Sequence, residues 1–144
     1  MSERENKPSV LPIGIALGLV VVAMLAMGVL RLIKGDEVPA EGLVGRAVVA
    51  QNDALQRENY PDFRRYTCTA QQGTESQVIG DQRQSKAAKG NRFVDDVEEV
   101  VVTEDRATAD VVYHFEKAPD DKITTPMTFA RENDVWTVCS PGPK

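Results

Sequence analysis

The side chain best suited to acid–base chemistry in this 144-residue sequence is His114, the only histidine. A catalytic triad needs a nucleophile and a carboxylate beside the imidazole, and a histidine-based metal site needs further ligands. The stretch DVVYHFE at 110–116 instead alternates polar and apolar residues, as a strand with one exposed face does. We therefore expect a half-exposed strand histidine and no catalytic residue.

Carboxylates gather in the stretch DDVEE at 95–99, with Glu104 and Asp105 nearby. Calcium loops of the EF-hand kind need a glycine turn and a fixed ligand spacing, and this stretch has neither. Acidic strands and turns are usually solvated, so the sequence predicts no metal and no cofactor.

An apolar run at 11–33, LPIGIALGLVVVAMLAMGVLRLI, contains no charge before Arg31. About 20 apolar residues, rising about 1.5 Å each, cover the roughly 30 Å hydrocarbon layer of a bilayer, so the run predicts a transmembrane helix. The alternative, a cleaved signal peptide, would have a shorter apolar core and a small-x-small cleavage site. The prediction leaves a tail at 1–10, a linker at 34–38 and a domain at 39–144.

Gly14 and Gly18 form a GxxxG motif inside this run. The motif lets two helix backbones approach closely, which predicts packing against a membrane partner or against a second copy of this chain. Glycine is frequent in membrane helices, and a plain anchor is the alternative.

The only two cysteines are Cys68 and Cys139. In the cytosol both would stay reduced, and one histidine leaves too few ligands for a structural zinc site. Outside the cell they would form a disulfide that closes a loop of about 70 residues, worth about 4 kcal/mol in the chain-entropy model. Two unpaired buried cysteines are the alternative.

Basic residues flank both ends of the apolar run, so flanking charge alone does not orient it. The cysteines favour a cytoplasmic tail at 1–10 and a domain outside the plasma membrane. Residues 35–144 carry 13 basic and 20 acidic side chains. This acidic balance argues against nucleic-acid binding, which relies on clustered lysine and arginine.

Helical patterns occupy the first half of the domain. Apolar residues recur at spacings of four and seven between Pro39 and Asn59, which predicts an amphipathic helix. The sequence Tyr-Pro-Asp at 60–62 interrupts it, and a short helix is predicted at 63–66. The stretch at 71–89 has few large apolar residues and Gly90 as a C-cap, which predicts a loosely packed surface helix.

β-branched runs follow Gly90 and predict four strands, at 92–103, 107–117, 123–132 and 135–140. The predicted turns lie at 104–106, 118–121 and 133–134. Two sets of side chains should each share one face of the sheet because of their alternation. These sets are Val111, Tyr113 and Phe115, and Ile123, Thr125, Met127 and Phe129.

Helices followed by an antiparallel meander make an α+β domain. This order, with a single anchor, the aromatic-rich stretch at 60–68 and a last strand reading NDVWTVCS, resembles the nuclear transport factor 2-like (cystatin-like) superfamily. More narrowly, it resembles single-pass envelope proteins of mycobacteria and other actinobacteria, including the Mce-associated membrane proteins. The resemblance implies a cone-shaped domain of two to three helices packed on a curved four-stranded antiparallel sheet. It also implies a last strand beside the helical layer, which would bring Cys139 near Cys68.

The superfamily also contains isomerases and dehydratases, whose cone holds an aspartate or histidine base and a hydrogen-bond donor for an oxyanion. None of the residues that could take these roles aligns with a catalytic position. They are Asp53, Tyr60, Tyr66, Tyr113 and His114. The predicted lining of a pocket consists of Trp136 and four of these residues, Tyr60, Tyr66, Tyr113 and His114.

The sequence therefore predicts a non-enzymatic, membrane-anchored interaction module, an accessory subunit of a cell-envelope complex with membrane-protein partners. The alternatives are a cone that binds a small apolar ligand or lipid, and an isomerase- or dehydratase-like enzyme. A cone filled by Phe115, Phe129 and Trp136 would favour the module, whereas an open apolar cavity with a few polar groups would favour a binder or an enzyme.

Overall fold

The computed structural model describes residues 38–143, together with four helical and exposed residues, Val21, Val22, Met24 and Leu25. Apart from these four, three predicted segments lie outside the described residues: the tail at 1–10, the transmembrane helix at 11–33 with Gly14 and Gly18, and the linker up to residue 37. In the part of the chain that is described, no helix has the length and hydropathy needed to cross a membrane.

Three α-helices open the domain: α1 (Ala40–Gln56), α2 (Tyr60–Arg65) and α3 (Glu75–Lys89). In α1 the predicted apolar stripe is buried at Val44, Ala47, Val48 and Ala54, whereas its last member, Leu55, is half-buried. Helix α2 begins at Tyr60 and not at residue 63, because the Asn59 side chain accepts a 3.1 Å hydrogen bond from the Asp62 N–H and a proline fits the first turn.

Helix α3 is the loosely packed helix that the sequence predicts, since Ile79 and Gln82 are its only buried residues. It begins at Glu75 because the Thr74 hydroxyl caps it, accepting a hydrogen bond from the Gln77 N–H. It ends at Gly90, whose φ of 80° is open to glycine and strained for other residues.

The four strands are β1 (Arg92–Thr103), β2 (Arg106–Phe115), β3 (Ala118–Glu132) and β4 (Val135–Val138). They pair in the order β1-β2-β3-β4, each antiparallel to the next, as the predicted meander requires. The predicted turn at 133–134 is present, and both residues have positive φ, 50° and 63°, as in a two-residue type I′ hairpin.

The predicted turn at 118–121 is wrong, because these residues belong to β3 and the chain turns at Glu116 and Lys117. The end of α3 fixes that turn: the Lys117 N–H donates to the Lys89 carbonyl at 3.1 Å. Pro119 is tolerated because β4 pairs only with residues 129–132, so the first part of β3 has one strand neighbour in the described chain.

One face of the sheet packs against α1. The register sets Val111 opposite Thr125 and Tyr113 opposite Ile123, so the two predicted sets of side chains share this face. The pairing of β1 with β2 contains two register shifts, between Val94 and Asp96 and between Glu98 and Val101, which bend the strand. The result is an α+β domain with three helices on a four-stranded antiparallel sheet.

Candidate functional site

A disulfide joins Cys68 to Cys139, 71 residues apart in sequence with Cα atoms 5.0 Å apart. The segment after α2 runs beside β4 and positions the pair. The Cys68 N–H donates to the Val138 carbonyl at 2.9 Å, and the Val138 N–H donates to the Tyr66 carbonyl at 2.8 Å. The last strand therefore lies beside the helical layer, as the resemblance implies.

The interior between α1 and the sheet is filled with large side chains. Tyr113, Phe129 and Trp136 belong to the core cluster and are exposed by 1%, 2% and 5%. Phe115 is 5% exposed but lies outside this cluster, where Lys89 Nζ is 4.9 Å from the centre of its ring. The Tyr113 hydroxyl donates to the Met127 sulfur at 3.1 Å. Burial raises the pKa of Tyr113, against a smaller opposing effect of the Arg92 charge. The space between α1 and this part of the sheet is therefore filled.

The five predicted pocket residues do not converge on one cavity. Tyr66 and Trp136 share a small cavity of about 260 Å³, whereas Tyr113 is part of the core. Tyr60 lies elsewhere, where its hydroxyl donates to the Gly73 carbonyl at 2.6 Å. His114 lies on the opposite face of the sheet, since its neighbours Tyr113 and Phe115 both point inward.

Asp53 also lies away from the interior, on the exposed side of α1. Its carboxylate pairs with Arg57 one turn later, at 2.8 Å. This exposed pair belongs to the helix surface.

His114 belongs to a charged cluster on the outer face of the sheet. Its Nδ1 lies 2.8 Å from the Asp95 carboxylate, and Lys122 Nζ lies 3.0 Å from the same group. The ring of Phe93 stacks on the imidazole with centroids 4.9 Å apart. The hydrogen bond from His114 is the largest cause that lowers the pKa of Asp95. The cluster joins β1, β2 and β3 and holds no nucleophile.

A groove of about 580 Å³ lies between α1 and α3 and extends to Arg92 on β1 and to residues 140–143. Its floor holds a buried hydrogen-bond chain: Gln51 Nε2 donates to Thr67 Oγ1 at 2.9 Å, and Thr67 Oγ1 donates to the Phe63 carbonyl at 2.6 Å. Leu55, Phe63 and Val78 supply apolar surface. The groove is therefore a mixed polar and apolar site.

Arg92, the first residue of β1, lines the groove. Its Nε donates to Asn52 Oδ1 at 2.8 Å, its Nη1 donates to the Pro143 carbonyl at 3.2 Å, and its guanidinium lies 5.1 Å from the centre of the Tyr113 ring. Burial lowers the pKa of Arg92. None of the ion pairs within residues 38–143 includes Arg92.

Two glutamine carboxamides near Arg92 lack hydrogen-bond partners among the described residues. Gln82, on α3, is 9% exposed and lines the groove. Both terminal atoms of Gln56 are buried in a second cleft of about 480 Å³, which Arg92 also lines. Buried polar atoms without partners are rare in folded proteins, and among the described residues only the Gln56 carboxamide is of this kind, whereas the amide of Gln82 is open to the groove.

Asp81 is the only carboxylate among the described groove residues, which include no histidine or cysteine. The groove therefore offers hydrogen-bonding groups and two cationic side chains, Lys89 and Arg92, for binding. Sequence reasoning missed Arg92, Gln56 and Gln82. The only available signal was the alternation of Arg92 with Val94 at the start of β1, which sets the arginine on the inner face.

No known protein family matches the sequence, and no curated protein sequence matches it. Some solved structures are similar. A nuclear transport factor 2-like protein from Shewanella oneidensis is 10% identical with a TM-score of 0.46, over 67% of this chain and 91% of that one. A candidate nuclear transport factor 2-like transpeptidase from Campylobacter jejuni is 17% identical with a TM-score of 0.45, over 65% and 94%. A cystatin-fold protein from Novosphingobium aromaticivorans is 7% identical with a TM-score of 0.42, over 65% and 93%.

Proposed function

We propose that this protein is a single-pass membrane protein whose domain at 39–144 is a non-enzymatic, extracytoplasmic interaction module. It would serve as an accessory subunit of a cell-envelope membrane complex, in the manner of the Mce-associated proteins it resembles. The observation that carries the proposal is the filled interior, where Tyr113, Phe129 and Trp136 occupy the space that a substrate would need. The disulfide agrees with a location outside the cytoplasm.

The partner surface that we infer is the cleft of about 480 Å³ beside Arg92. Val49 and Phe93 line it and are 54% and 44% exposed, beside the charged side chains of Asp53 and Lys86. The unpartnered carboxamide of Gln56 is buried beneath them. Exposed apolar side chains around a polar group are typical of protein-binding surfaces. The partner would be a membrane protein that inserts an apolar side chain here, against Val49 and Phe93.

Affinity purification from native membranes, followed by mass spectrometry, tests this proposal. Val49→Asp should reduce recovery of the partner because it places a charge in the apolar contact. Val101→Asp is the matched control, since Val101 is a valine of similar exposure, 59%, on β1 and does not line the cleft. Equal recovery with both variants, or recovery of no membrane protein at all, would contradict the proposal.

Gly14 and Gly18 supply a second contact in the proposal, inside the membrane. Changing both glycines to isoleucine should block close helix approach and reduce recovery of the membrane partner or of a second copy of this chain. The domain should fold equally well in the variant. Unchanged recovery in detergent would leave the span as a plain anchor.

The groove between α1 and α3 favours a second candidate function, binding of a small ligand. Its volume of about 580 Å³ lies in the roughly 300–1,000 Å³ range of small-molecule sites, and its lining is both apolar and polar. Organic extraction of the purified full chain, followed by mass spectrometry, tests this candidate. A groove-blocking variant, Ser85→Trp, should lose any molecule that the wild-type protein retains.

A further inference from the structure

Arg92 is a partly buried cation whose described polar contacts are all neutral. Asn52 and Pro143 each supply an oxygen acceptor, and Tyr113 supplies a ring face. A guanidinium has more N–H donors than these contacts use. A buried charge is costly when no opposite charge lies near it, and a carboxylate is the partner whose planar geometry fits a guanidinium.

The groove that Arg92 lines also holds a hydrogen-bonding group without a partner. Gln82, on α3, is 9% exposed as a residue, and its carboxamide makes no hydrogen bond with the described residues and remains open to the groove. A carboxamide offers both a donor and an acceptor, which is the complement of a ligand amide.

Apolar surface completes the site. Leu55 on α1, Phe63 on α2 and Val78 on α3 line the same groove, and Phe63 is 6% exposed. Val78 and Gln82 lie one turn apart on α3, so they occupy the same face of the helix. The apolar part of a ligand could thus contact Val78 while its amide meets Gln82.

The negative charge in the groove lies away from Arg92 along α3. Asp81 is two turns before Lys89, the last residue of the helix, which corresponds to about 12 Å along the axis. Gln82 and Ser85 lie between them in sequence. The positive end of the groove is therefore the end near Arg92.

From these observations we propose that the groove binds a small organic carboxylate that also carries an amide and an apolar group. Arg92 binds the carboxylate, Gln82 pairs with the amide, and Leu55, Phe63 and Val78 contact the apolar group. N-acylated amino acids have this chemistry. The inference rests on the second candidate function, because it names the ligand class of that groove.

The first test uses hippurate, a benzoyl group joined through an amide to a glycine carboxylate, and the full chain in lipid nanodiscs. Isothermal titration calorimetry should show hippurate binding at least about tenfold more tightly than hippuramide, in which a neutral amide replaces the carboxylate. N-acetylglycine, which lacks the ring, should bind more weakly than hippurate because the apolar contact is lost.

Variants locate the site. Arg92→Gln should weaken hippurate binding by about tenfold or more and leave hippuramide binding nearly unchanged, so the preference for the carboxylate disappears. Arg92→Lys should restore part of the affinity, because it keeps the charge but loses the planar fork. Gln82→Leu should weaken both ligands by a similar, smaller factor.

Arg83→Gln is the matched control, since Arg83 follows Gln82 on α3, pairs with Glu58 and does not line the groove. It removes the same charge and should leave hippurate affinity unchanged. The midpoint of thermal unfolding, measured for each variant, separates loss of binding from loss of fold. If Arg92→Gln does not fold, the wild-type preference for hippurate over hippuramide still decides the question.

The outcomes separate this inference from the function on which it rests. Equal affinity for hippurate and hippuramide would overturn the carboxylate site while leaving ligand binding intact. Failure of the full chain to bind any of the three probes would overturn the inference and count against the second candidate function. Equal loss of hippurate affinity in Arg83→Gln and Arg92→Gln would show a general charge effect and would also overturn the site.

Discussion

Helix α1 separates two regions of opposite character. Toward the sheet, Val44 and Val48 are fully buried against a layer of aromatic and aliphatic side chains. Toward α3, the same helix presents Gln51 and Leu55 to a groove that also contains Arg92 and Gln82. The first region supplies most of the free energy of folding, because burial of apolar surface is the main source of that free energy. The second leaves polar groups partly unsatisfied, which is a cost for folding and a means of recognition.

The largest effect should come from the filled interior. Trp136→Ala should lower the free energy of unfolding by about 3–5 kcal/mol, since it removes a buried aromatic side chain and leaves a cavity. Denaturant titration followed by circular dichroism measures this, because Trp136 is the only tryptophan and fluorescence would be lost with it. Val101→Ala on the outer face should change stability by less than about 0.5 kcal/mol. Similar losses in both variants would contradict the conclusion that the filled interior is the main source of stability.

The disulfide, which ties the filled interior to the helical layer, should give the next effect. Cys139→Ser should lower the free energy of unfolding by about 2–5 kcal/mol, as removal of a native disulfide typically does. A thiol-alkylating mass tag should find no free cysteine in protein taken from membranes and two after reduction. Two free thiols without reduction would contradict both the disulfide and the proposed location outside the cytoplasm.

Two glycines of the α3 region should act in opposite directions. Gly90→Ala should lower the free energy of unfolding by more than about 1 kcal/mol, because φ is 80° and the new Cβ would meet Glu116 Cβ at 2.7 Å. Gly80→Ala should raise it by about 0.5–1 kcal/mol, because Gly80 is helical and its Cβ would meet nothing within 4 Å. Denaturation midpoints of the two variants measure this. A loss in Gly80→Ala would show that α3 packs more tightly than the structure indicates.

The charged cluster on the outer face should give the smallest effect, and one that depends on pH. The hydrogen bond from His114 holds the pKa of Asp95 below its ordinary value, about 3.9 in an unfolded chain. The stabilisation is therefore complete above about pH 4 and is lost as the pH falls through the lowered pKa of the folded state.

Asp95→Asn should remove this part of the acid dependence. The difference in free energy of unfolding between the wild-type protein and the variant should shrink as the pH falls from about 5 to 2. Asp120→Asn is the control, since Asp120 is exposed on β3 and forms none of the ion pairs in residues 38–143. A difference that stays constant with pH would contradict the role of Asp95.

Prediction from sequence worked where a pattern is local. Three correct predictions each depend on residues a few positions apart in sequence. These are the alternation of Val111, Tyr113 and Phe115, the turn at Asn133 and Asp134, and the weak apolar pattern of α3. The turn at 118–121 failed because proline and acidic residues usually mark turns, whereas contacts with the distant end of α3 hold the turn at Glu116 and Lys117. The candidate site was largely missed. Gln56 and Gln82 have no local pattern that marks them as buried, and the alternation that sets Arg92 on the inner face does not reveal a groove.

The sequence by itself determined the α+β class, the order of three helices and four strands, and the pattern of inward-facing apolar residues on β2 and β3. These follow from short-range periodicity and turn chemistry. The tertiary structure alone decided that Tyr113 is enclosed rather than part of an open pocket, and that Arg92 lines a groove. The reason is physical: the burial and the partners of a polar side chain depend on elements far away in sequence. Arg92, for instance, meets Asn52 from α1 and Pro143 from the end of the chain.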